Sequence, residues 1–348
     1  MTRNCIGWDV GGAHLKAVLL NEAGLVQAVT QVYCPLWRGL NELEIAIDSI
    51  LQEFNADMHA VTMTGELADI FAGRRDGVMQ IAATLAAKLH GEVRYYAGRH
   101  GYVNQDAVED FWRDIASINW LASAQYTAQK VSKALFVDVG STTTDIALID
   151  NAIPQIKGFT DATRMQCDEL VYTGVVRTPL MAMAQKILFA GQMTNVAAEY
   201  FASAADVYTL TGDLHLAENM AETADGADKT IQACACRIAR MIGCDADDAP
   251  LTLWVELANA FKKVQLEQIR QALLKQMTLL KDCSGLQLIG AGAGTFLVAE
   301  LAVQLGLEFH PVADFIASID KEAKDMAAVC FPAYAVAYLS IKDSGVFA

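Results

Sequence analysis

The chain contains the same short pattern twice, at residues 6–16 (IGWDVGGAHLK) and residues 135–145 (LFVDVGSTTTD). Each copy joins an apolar run to an Asp, a Gly turn and a second apolar run. Glycine allows the positive φ of a tight hairpin and lets a phosphate group approach the backbone. Successive N–H groups in such a turn bind anions, and Ser or Thr hydroxyls add donors. The pattern therefore predicts two phosphate-binding hairpins.

The candidate ligand-binding residues follow from this geometry. The Asp that ends each first strand, Asp9 or Asp138, can hold a hydrated divalent cation against phosphates, so we expect Mg²⁺ there. The hydroxyls of the second copy exceed what a hairpin needs, although a strand rich in β-branched residues explains the last two Thr equally well. The residues that we expect to bind phosphate are Gly11, Gly12, Gly140, Ser141, Thr142, Thr143 and Thr144.

A third glycine-rich segment, residues 286–295 (LQLIGAGAGT), follows a strand-like run and opens a helical stretch. Its Gly290, Gly292 and Gly294 are further candidates for ligand contacts. The three segments, in this order, resemble the actin-like ATPase superfamily of sugar kinases, actin and heat-shock chaperones. The resemblance implies an α/β fold with two α/β domains around a central cleft, in which both hairpins hold nucleotide phosphates. Each turn alone also fits an ordinary hairpin or helix start.

In the first hairpin, His14 and Lys16 replace the hydroxyls that are usual in the kinases. They are two residues apart on a strand, so their side chains share a face. Lysine can neutralise phosphate charge, and histidine can donate a hydrogen bond or a proton. Both residues also fit an ordinary surface position. The departure from the kinase pattern leaves the use of ATP open.

Composition excludes some partners. The net charge of −15 argues against nucleic acid, because phosphate backbones require a basic face. No apolar stretch approaches the length of a membrane span, and we expect neither a membrane partner nor a signal peptide. The 8 cysteines are expected to be reduced thiols in the cytoplasm. Cys234, Cys236 and Cys244 lack the spacing of a zinc site, which favours ordinary helix positions.

Helical and strand-like patterns alternate along the chain and restart at the second hairpin. This predicts a first domain at residues 1–125 and a second, with a helical insertion, at residues 126–330. The apolar C-terminal helix within residues 331–348 is expected to pack on the first domain. Residues 111–123 are predicted to form one short apolar and aromatic helix.

Several acids are candidate bases. Glu66 follows a predicted strand at residues 60–64, and the carboxyl ends of strands in an α/β sheet face the ligand. Asp69 is an alternative, and Asp145 alternates with apolar residues and is a second candidate. Arg177, in a loop after the second hairpin, suits a carboxylate or a phosphate. The polar loop at residues 224–229 (ADGADK) fits a ligand contact or a helix N-terminus with capping acids.

These segments carry a narrower resemblance. The blocks GWDVGGAHLKA, MTGELAD, NW, VDVGSTTTDIA, ELVYTGVVRTPL, ADVY, TADGADK and GAGAGTFL span most of the chain. As a set they resemble the hydantoinase/oxoprolinase-related proteins of tetrahydromethanopterin-linked one-carbon metabolism, and among them the condensing enzymes of methanofuran biosynthesis. The resemblance implies a transferase that joins an aminomethyl-furanmethanol diphosphate to the phenol of tyramine or γ-glutamyltyramine and releases diphosphate. The hairpins would then hold a substrate diphosphate where relatives hold ATP.

Two other readings stay open at this stage. An ATP-dependent kinase or a ring-opening amidohydrolase would also use the three nucleotide-type motifs. A nucleotide-sensing or assembly protein of the same fold would bind its ligand without turnover. The sequence also leaves open whether the chain forms a homodimer.

Overall fold

The computed structural model describes residues 4–215 and 218–344. In these ranges the strands are β1 (Cys5–Val10), β2 (His14–Leu20), β3 (Val26–Tyr33), β4 (Met58–Met63), β5 (Glu92–Tyr96), β6 (Tyr102–Val103), β7 (Lys133–Val139), β8 (Thr144–Asp150), β9 (Ile153–Gln155), β10 (Leu170–Val171), β11 (Lys186–Phe189), β12 (Gln192–Asn195), β13 (Gln287–Ala291) and β14 (Glu308–Pro311).

The helices of the same ranges are α1 (Leu40–Leu51), α2 (Arg74–Lys88), α3 (Val108–Ile115), α4 (Asn119–Ala128), α5 (Asp161–Cys167), α6 (Leu180–Met183), α7 (Ala204–Thr211), α8 (Ile231–Arg240), α9 (Leu251–Met277), α10 (Thr295–Leu305), α11 (Lys321–Val329) and α12 (Phe331–Ser344). Short 3-10 turns join several of them. Each of these helices is too short or too polar to cross a bilayer.

The chain divides into two compact units. The first runs to Lys133 and also contains Ile149–Gln155 and the chain from Pro311, and the second contains Ala134–Leu148 and Ile156–His310. The division thus falls at Lys133 rather than at residue 125, which lies inside α4. The C-terminal helix α12 belongs to the first unit, where it packs on β1, β2 and β4.

The first unit is built on a six-stranded sheet in the order β3-β2-β1-β4-β5-β6. Strand β1 pairs with β2 as an antiparallel hairpin and with β4 in parallel, with Asp9 beside Thr62. One face of β1 places Trp8 in a core with Ile47 of α1 and Leu85 of α2. Because β1 and β4 are parallel, their carboxyl ends lie at the same edge of the sheet.

The second unit is built on a sheet in the order β10-β8-β7-β13-β14, in which β7 pairs with β13 in parallel. Its core includes Tyr208 of α7, Ile238 of α8 and Phe261 of α9, so the long helix α9 is buried along one side. The carboxyl ends of β7 and β13 are adjacent, since Ala291 lies in register with Asp138.

The prediction of one continuous helix at residues 111–123 is wrong. The chain forms α3 and α4 instead, and Ser117 between them has a φ of +52°. A residue in the left-handed region ends the right-handed helical path, and it is uncommon for anything other than Gly, Asn or Asp. The chain therefore forms two helices where the apolar pattern indicates one.

The packing of α12 on β1 depends on Gly7. A methyl group at Gly7 would lie 1.9 Å from the carbonyl oxygen of Ala333. We expect Gly7→Ala to lower the free energy of unfolding by about 3 kcal/mol, because the helix must move away from the sheet. Urea denaturation measures the change. Gly73→Ala is the control, since a methyl group there meets no atom within 4 Å; equal stability of the two variants would contradict the packing described.

Candidate functional site

The first hairpin is closed by a hydrogen bond from the Gly11 amide to the His14 carbonyl at 3.0 Å. The Gly12 carbonyl accepts a hydrogen bond from the Leu36 amide at 3.1 Å, so the segment after β3 also holds the turn in place. Burial raises the pKa of the nearby Cys34 thiol to about 12. That cysteine is therefore not a thiolate nucleophile near neutral pH.

Asp9 lies at the end of β1 and is 5% exposed. Asn119, the first residue of α4, donates from Nδ2 to Oδ1 of Asp9 at 3.3 Å. Lys16 lies opposite Asp9 in the hairpin register. Its Nζ donates to the carbonyl of Val329, at the end of α11, at 3.4 Å. The structure thus brings Asp9 and Lys16 together on one hairpin, and it ties the ammonium to the C-terminal helices.

His14 begins β2 and is 5% exposed. Its ring meets Tyr33 edge-to-face with centroids 6.1 Å apart, and Tyr33 meets Trp37 in the same way at 6.4 Å. His14 is therefore a packed residue beside the turn, and it does not occupy an ordinary surface position.

Glu66 lies in the 3-10 turn Gly65–Leu67, directly after β4. A methyl group at Gly65 would lie 3.1 Å from the carbonyl oxygens of Val10 and Gly11, which shows how closely this turn approaches the first hairpin. The Glu66 side chain is 1% exposed and accepts a hydrogen bond from Oγ of Ser117 at 2.5 Å. The alternative acid Asp69 is exposed.

The second hairpin is closed by a hydrogen bond from the Gly140 amide to the Thr143 carbonyl at 2.9 Å. Ser141, Thr142 and Thr143 are partly exposed, as ligand-binding hydroxyls require. Thr144 differs, because it is fully buried and its hydroxyl donates to the carbonyl of Thr173 at 2.7 Å. The structure thus gives the Thr144 hydroxyl to the loop at residues 173–178.

That loop holds the second turn in place. The Val175 amide donates to the Gly140 carbonyl at 3.0 Å, and the Arg177 amide donates to the Ser141 carbonyl at 2.8 Å. The Arg177 side chain is exposed at this point. A methyl group at Gly174 would lie 2.5 Å from the amide nitrogen of Thr142. The loop therefore packs backbone against backbone on the turn.

A buried glutamine supports the same loop from the other side. Nε2 of Gln265, on α9, donates to Oγ1 of Thr173 at 2.8 Å and to the Gly174 carbonyl at 2.9 Å. Its Oε1 accepts from the hydroxyl of Tyr208. Sequence reasoning did not single out Gln265, because nothing in a helical pattern marks which buried polar residue reaches a distant loop.

The third glycine-rich segment forms the end of β13 and the turn into α10. Gly292 lies against Asp138, since a methyl group there would lie 2.3 Å from Oδ1 of Asp138. The Gly294 amide donates to the Val139 carbonyl at 2.9 Å. Gly290 lies within β13 and packs against Phe309 and Val298, so it is placed in the interior. The structure thus brings Gly292 and Gly294 to the second hairpin.

Asp145 is engaged by an arginine. NH1 of Arg164 donates to Oδ1 of Asp145 at 2.6 Å, and NH2 of Arg164 donates to the Glu169 carbonyl at 2.8 Å. Burial raises the pKa of the Asp145 carboxyl, while the Arg164 guanidinium acts in the opposite direction. A carboxylate that an almost fully buried arginine holds is poorly placed to accept a substrate proton.

The polar loop at residues 224–229 is also tied by an ion-pair cluster. Arg237 of α8 is fully buried; its Nε donates to Oδ1 of Asp206 at 2.8 Å and its NH1 to Oδ1 of Asp225 at 3.2 Å. Thr230 caps α8, and Cys234 is buried on that helix. The Asp225 carboxylate and the Asp228 carbonyl of this loop therefore serve the protein's own packing.

The side chains of the two hairpins fit one type of metal site. Within the described ranges, no group of three or more His, Cys, Asp or Glu side chains is arranged to hold a metal ion. Mg²⁺ commonly binds through one or two carboxylates, with substrate phosphates and water completing its coordination. Asp9 and Asp138 each lie at the end of a strand beside a glycine turn, which is the placement that such a site requires.

The chain is similar to members of one protein family. The sequence profile of the Hydantoinase_A family (hydantoinase/oxoprolinase) matches residues 57–319. The chain is 31% identical over 270 residues to the (4-{4-[2-(γ-L-glutamylamino)ethyl]phenoxymethyl}furan-2-yl)methanamine synthase of Methanocaldococcus jannaschii, covering 76% of this chain and 79% of that protein. It is 30% identical over 154 residues to the synthase of the same name from Methanococcus vannielii, covering 44% of this chain and 68% of that protein.

Among solved structures, the chain is similar to acetone carboxylase in a nucleotide-free state, from work on ATP-dependent acetone carboxylation. The TM-score is 0.55 at 10% identity, with 97% of this chain and 70% of that chain covered. At that identity the similarity shows the fold alone. This similarity confirms the α/β, actin-like ATPase fold class expected from the three glycine-rich segments.

The contact between Gly174 and the second turn yields a test. We expect Gly174→Ala to weaken the binding of inorganic diphosphate, measured by calorimetry in the presence of Mg²⁺, by about tenfold, because the added methyl group pushes the amide of Thr142 out of place. Gly73→Ala serves again as the control. A folded Gly174→Ala protein that binds diphosphate as tightly as the wild type would show that the turn does not bind phosphate.

Proposed function

The chain belongs to the hydantoinase/oxoprolinase family, and we propose that it is the transferase that forms an aryl ether of methanofuran biosynthesis. The donor is an aminomethyl-furanmethanol diphosphate, and the acceptor is the phenol of tyramine or γ-glutamyltyramine. The chain matches its two synthase relatives over most of their length, and it is therefore an enzyme. The observation that carries the proposal is the 31% identity to the methanogen synthase across both units.

The reaction balances without a further reactant. The bond between the furfuryl carbon and the diphosphate oxygen breaks, and its electron pair leaves with diphosphate. The phenol oxygen forms a new bond to the same carbon and loses its proton. A furfuryl carbon supports positive charge, so the main barrier is the departure of a highly charged leaving group. The free phenol has a pKa of about 10 and therefore needs a proton acceptor near neutral pH.

The residues of the two hairpins support the leaving-group side of this proposal. The turn at Gly140 carries the partly exposed residues Ser141, Thr142 and Thr143, whose hydroxyls can donate to a phosphate. Arg177 lies beside them and can pair with a phosphate. When bound at Asp9 or Asp138, Mg²⁺ would supply positive charge against the diphosphate. At the first hairpin, Lys16 would supply positive charge and His14 a hydrogen bond, and the bare backbone of Gly11 and Gly12 would let a phosphate approach.

Glu66 is the residue that we propose as the proton acceptor for the phenol. It is held at the end of β4 beside the first turn, and one of its oxygens is fixed by Ser117. Asp145, the second candidate, is engaged by Arg164. The guanidinium of Arg164 favours the charged form of Asp145, and this opposes uptake of a proton by that carboxylate.

The proposal is tested by incubating the protein with Mg²⁺, the aminomethyl-furanmethanol diphosphate and either tyramine or γ-glutamyltyramine, without ATP. Mass spectrometry should detect the ether, and diphosphate should appear in equal amount. Consumption of added ATP without ether formation would instead support a kinase or hydrolase of the same fold. The choice of acceptor is read from the same experiment by comparing tyramine with γ-glutamyltyramine.

The role of Glu66 has a matched control in the same segment. We expect Glu66→Gln to lower kcat for ether formation by about 10²- to 10⁴-fold, because the phenol loses its proton acceptor while the diphosphate contacts remain. Asp69→Asn, which changes an exposed acid three residues away, should leave kcat within about twofold of the wild type. Steady-state kinetics on folded variants measures both. Near-normal turnover by Glu66→Gln would remove Glu66 from this role.

A further inference from the structure

The segment Ala116–Trp120 forms the turn after α3 together with the first two residues of α4, and it lies beside the end of β4. Ala116 forms a parallel bridge with Met63, the last residue of that strand. The turn therefore lies at the edge of the sheet where Glu66 and Asp9 also lie. Its Asn119-Trp120 pair belongs to the sequence blocks that carry the family resemblance.

Two side chains of this turn contact the two acids of the first unit. Oγ of Ser117 donates to Oε1 of Glu66 at 2.5 Å. Nδ2 of Asn119 donates to Oδ1 of Asp9 at 3.3 Å. One short segment thus contacts both the proposed proton acceptor and the proposed metal-binding carboxylate.

Ser117 is held in an unfavourable backbone conformation. Its φ is +52° although it is not glycine, and it is buried. Nε1 of Trp120 donates to the Ser117 carbonyl at 3.0 Å, and the Trp120 amide donates to Oδ1 of Asn119 at 2.8 Å. Such a conformation persists only where the surroundings fix it, and it is found frequently at functional sites.

Arg74 determines the direction of the Ser117 hydroxyl. NH1 of Arg74 lies 3.4 Å from Oγ of Ser117 and can only donate. The hydroxyl oxygen therefore accepts from Arg74, and its hydrogen is left to point at the Glu66 carboxylate. A chain from guanidinium to hydroxyl to carboxylate results, and each bond strengthens the next.

We infer that the turn Ala116–Trp120 positions both acids of the proposed reaction, Ser117 by orienting Glu66 and Asn119 by orienting Asp9. The inference rests on the proposed function, because it assigns these residues to the same site. Ser117 and Asn119 are positioning residues, since neither is argued to touch the reacting atoms. With Oε1 held by Ser117, rotation of the Glu66 carboxylate is restricted and its other oxygen faces a defined direction.

The Ser117 contact and the Asn119 contact predict effects on different kinetic constants. Loss of the Ser117 hydroxyl should lower kcat by about tenfold to a hundredfold and leave KM for the diphosphate within about twofold, because it affects the proton acceptor. Loss of the Asn119 amide in Asn119→Ala should raise KM for the diphosphate, measured at fixed Mg²⁺, by about tenfold. A purely structural role would change both constants together in both variants.

The left-handed backbone of Ser117 offers a sharp comparison. Ser117→Gly removes the hydroxyl and relieves the strain, whereas Ser117→Ala removes the hydroxyl and keeps the strain. We expect equal losses of kcat in the two variants, with Ser117→Gly the more stable protein. Ala152→Gly relieves a similar φ of +59° at an exposed position in the same unit and should keep full kcat. Normal turnover by Ser117→Gly would overturn the inference.

Failure of the proposed function is recognised separately. If the wild type and Ala152→Gly form no ether with either acceptor, the proposed reaction is wrong. The contact is then still tested by urea unfolding of Ser117→Gly, Glu66→Gln and the double variant. Coupling between the two changes supports the orientation of Glu66 by Ser117, and strict additivity overturns it.

Discussion

The approach of bare glycine backbone to a neighbouring segment is the constraint on which both hairpin sites depend. In the first unit, Gly65 brings the Glu66 turn against the carbonyls of the first hairpin, and Gly7 lets α12 lie on β1. In the second unit, Gly174 packs on the turn at Gly140, and Gly292 packs on Asp138. A side chain at any of these glycines would push apart the two segments that meet there, within the first unit at Gly7 and Gly65 and within the second unit at Gly174 and Gly292.

The hairpins and the fold class could be predicted from the sequence because their signals are local. An Asp, a Gly turn and two apolar runs encode a hairpin within a dozen residues, and the observed strands β1, β2, β7 and β8 follow that pattern. The break between α3 and α4 could not be predicted in this way. It depends on two contacts of Ser117, one with Glu66, which is distant in the sequence, and one with the side chain of Trp120. Serine itself carries no signal for a left-handed backbone.

The direction of side chains limited the prediction of the site. The chemistry of Thr144 and Asp145 predicts ligand contacts, but β8 turns Thr144 towards Thr173 and places Asp145 beside Arg164. The glycine-rich run predicts a ligand contact for Gly290, yet this residue lies in β13 before the turn begins. The type of a residue does not show whether its polar groups bind other residues of the protein, and for the same reason the sequence gives no signal for Arg164, Gln265 and Ser117.

The central claim, that the phenol oxygen attacks a furfuryl diphosphate, is tested most directly by isotope tracing. The protein is incubated with Mg²⁺, the diphosphate and an acceptor whose phenol carries ¹⁸O, and the products are weighed by mass spectrometry. The account predicts that the label is found in the ether and that the released diphosphate contains none. Label in an aryl phosphate, or an ether without label, would contradict it.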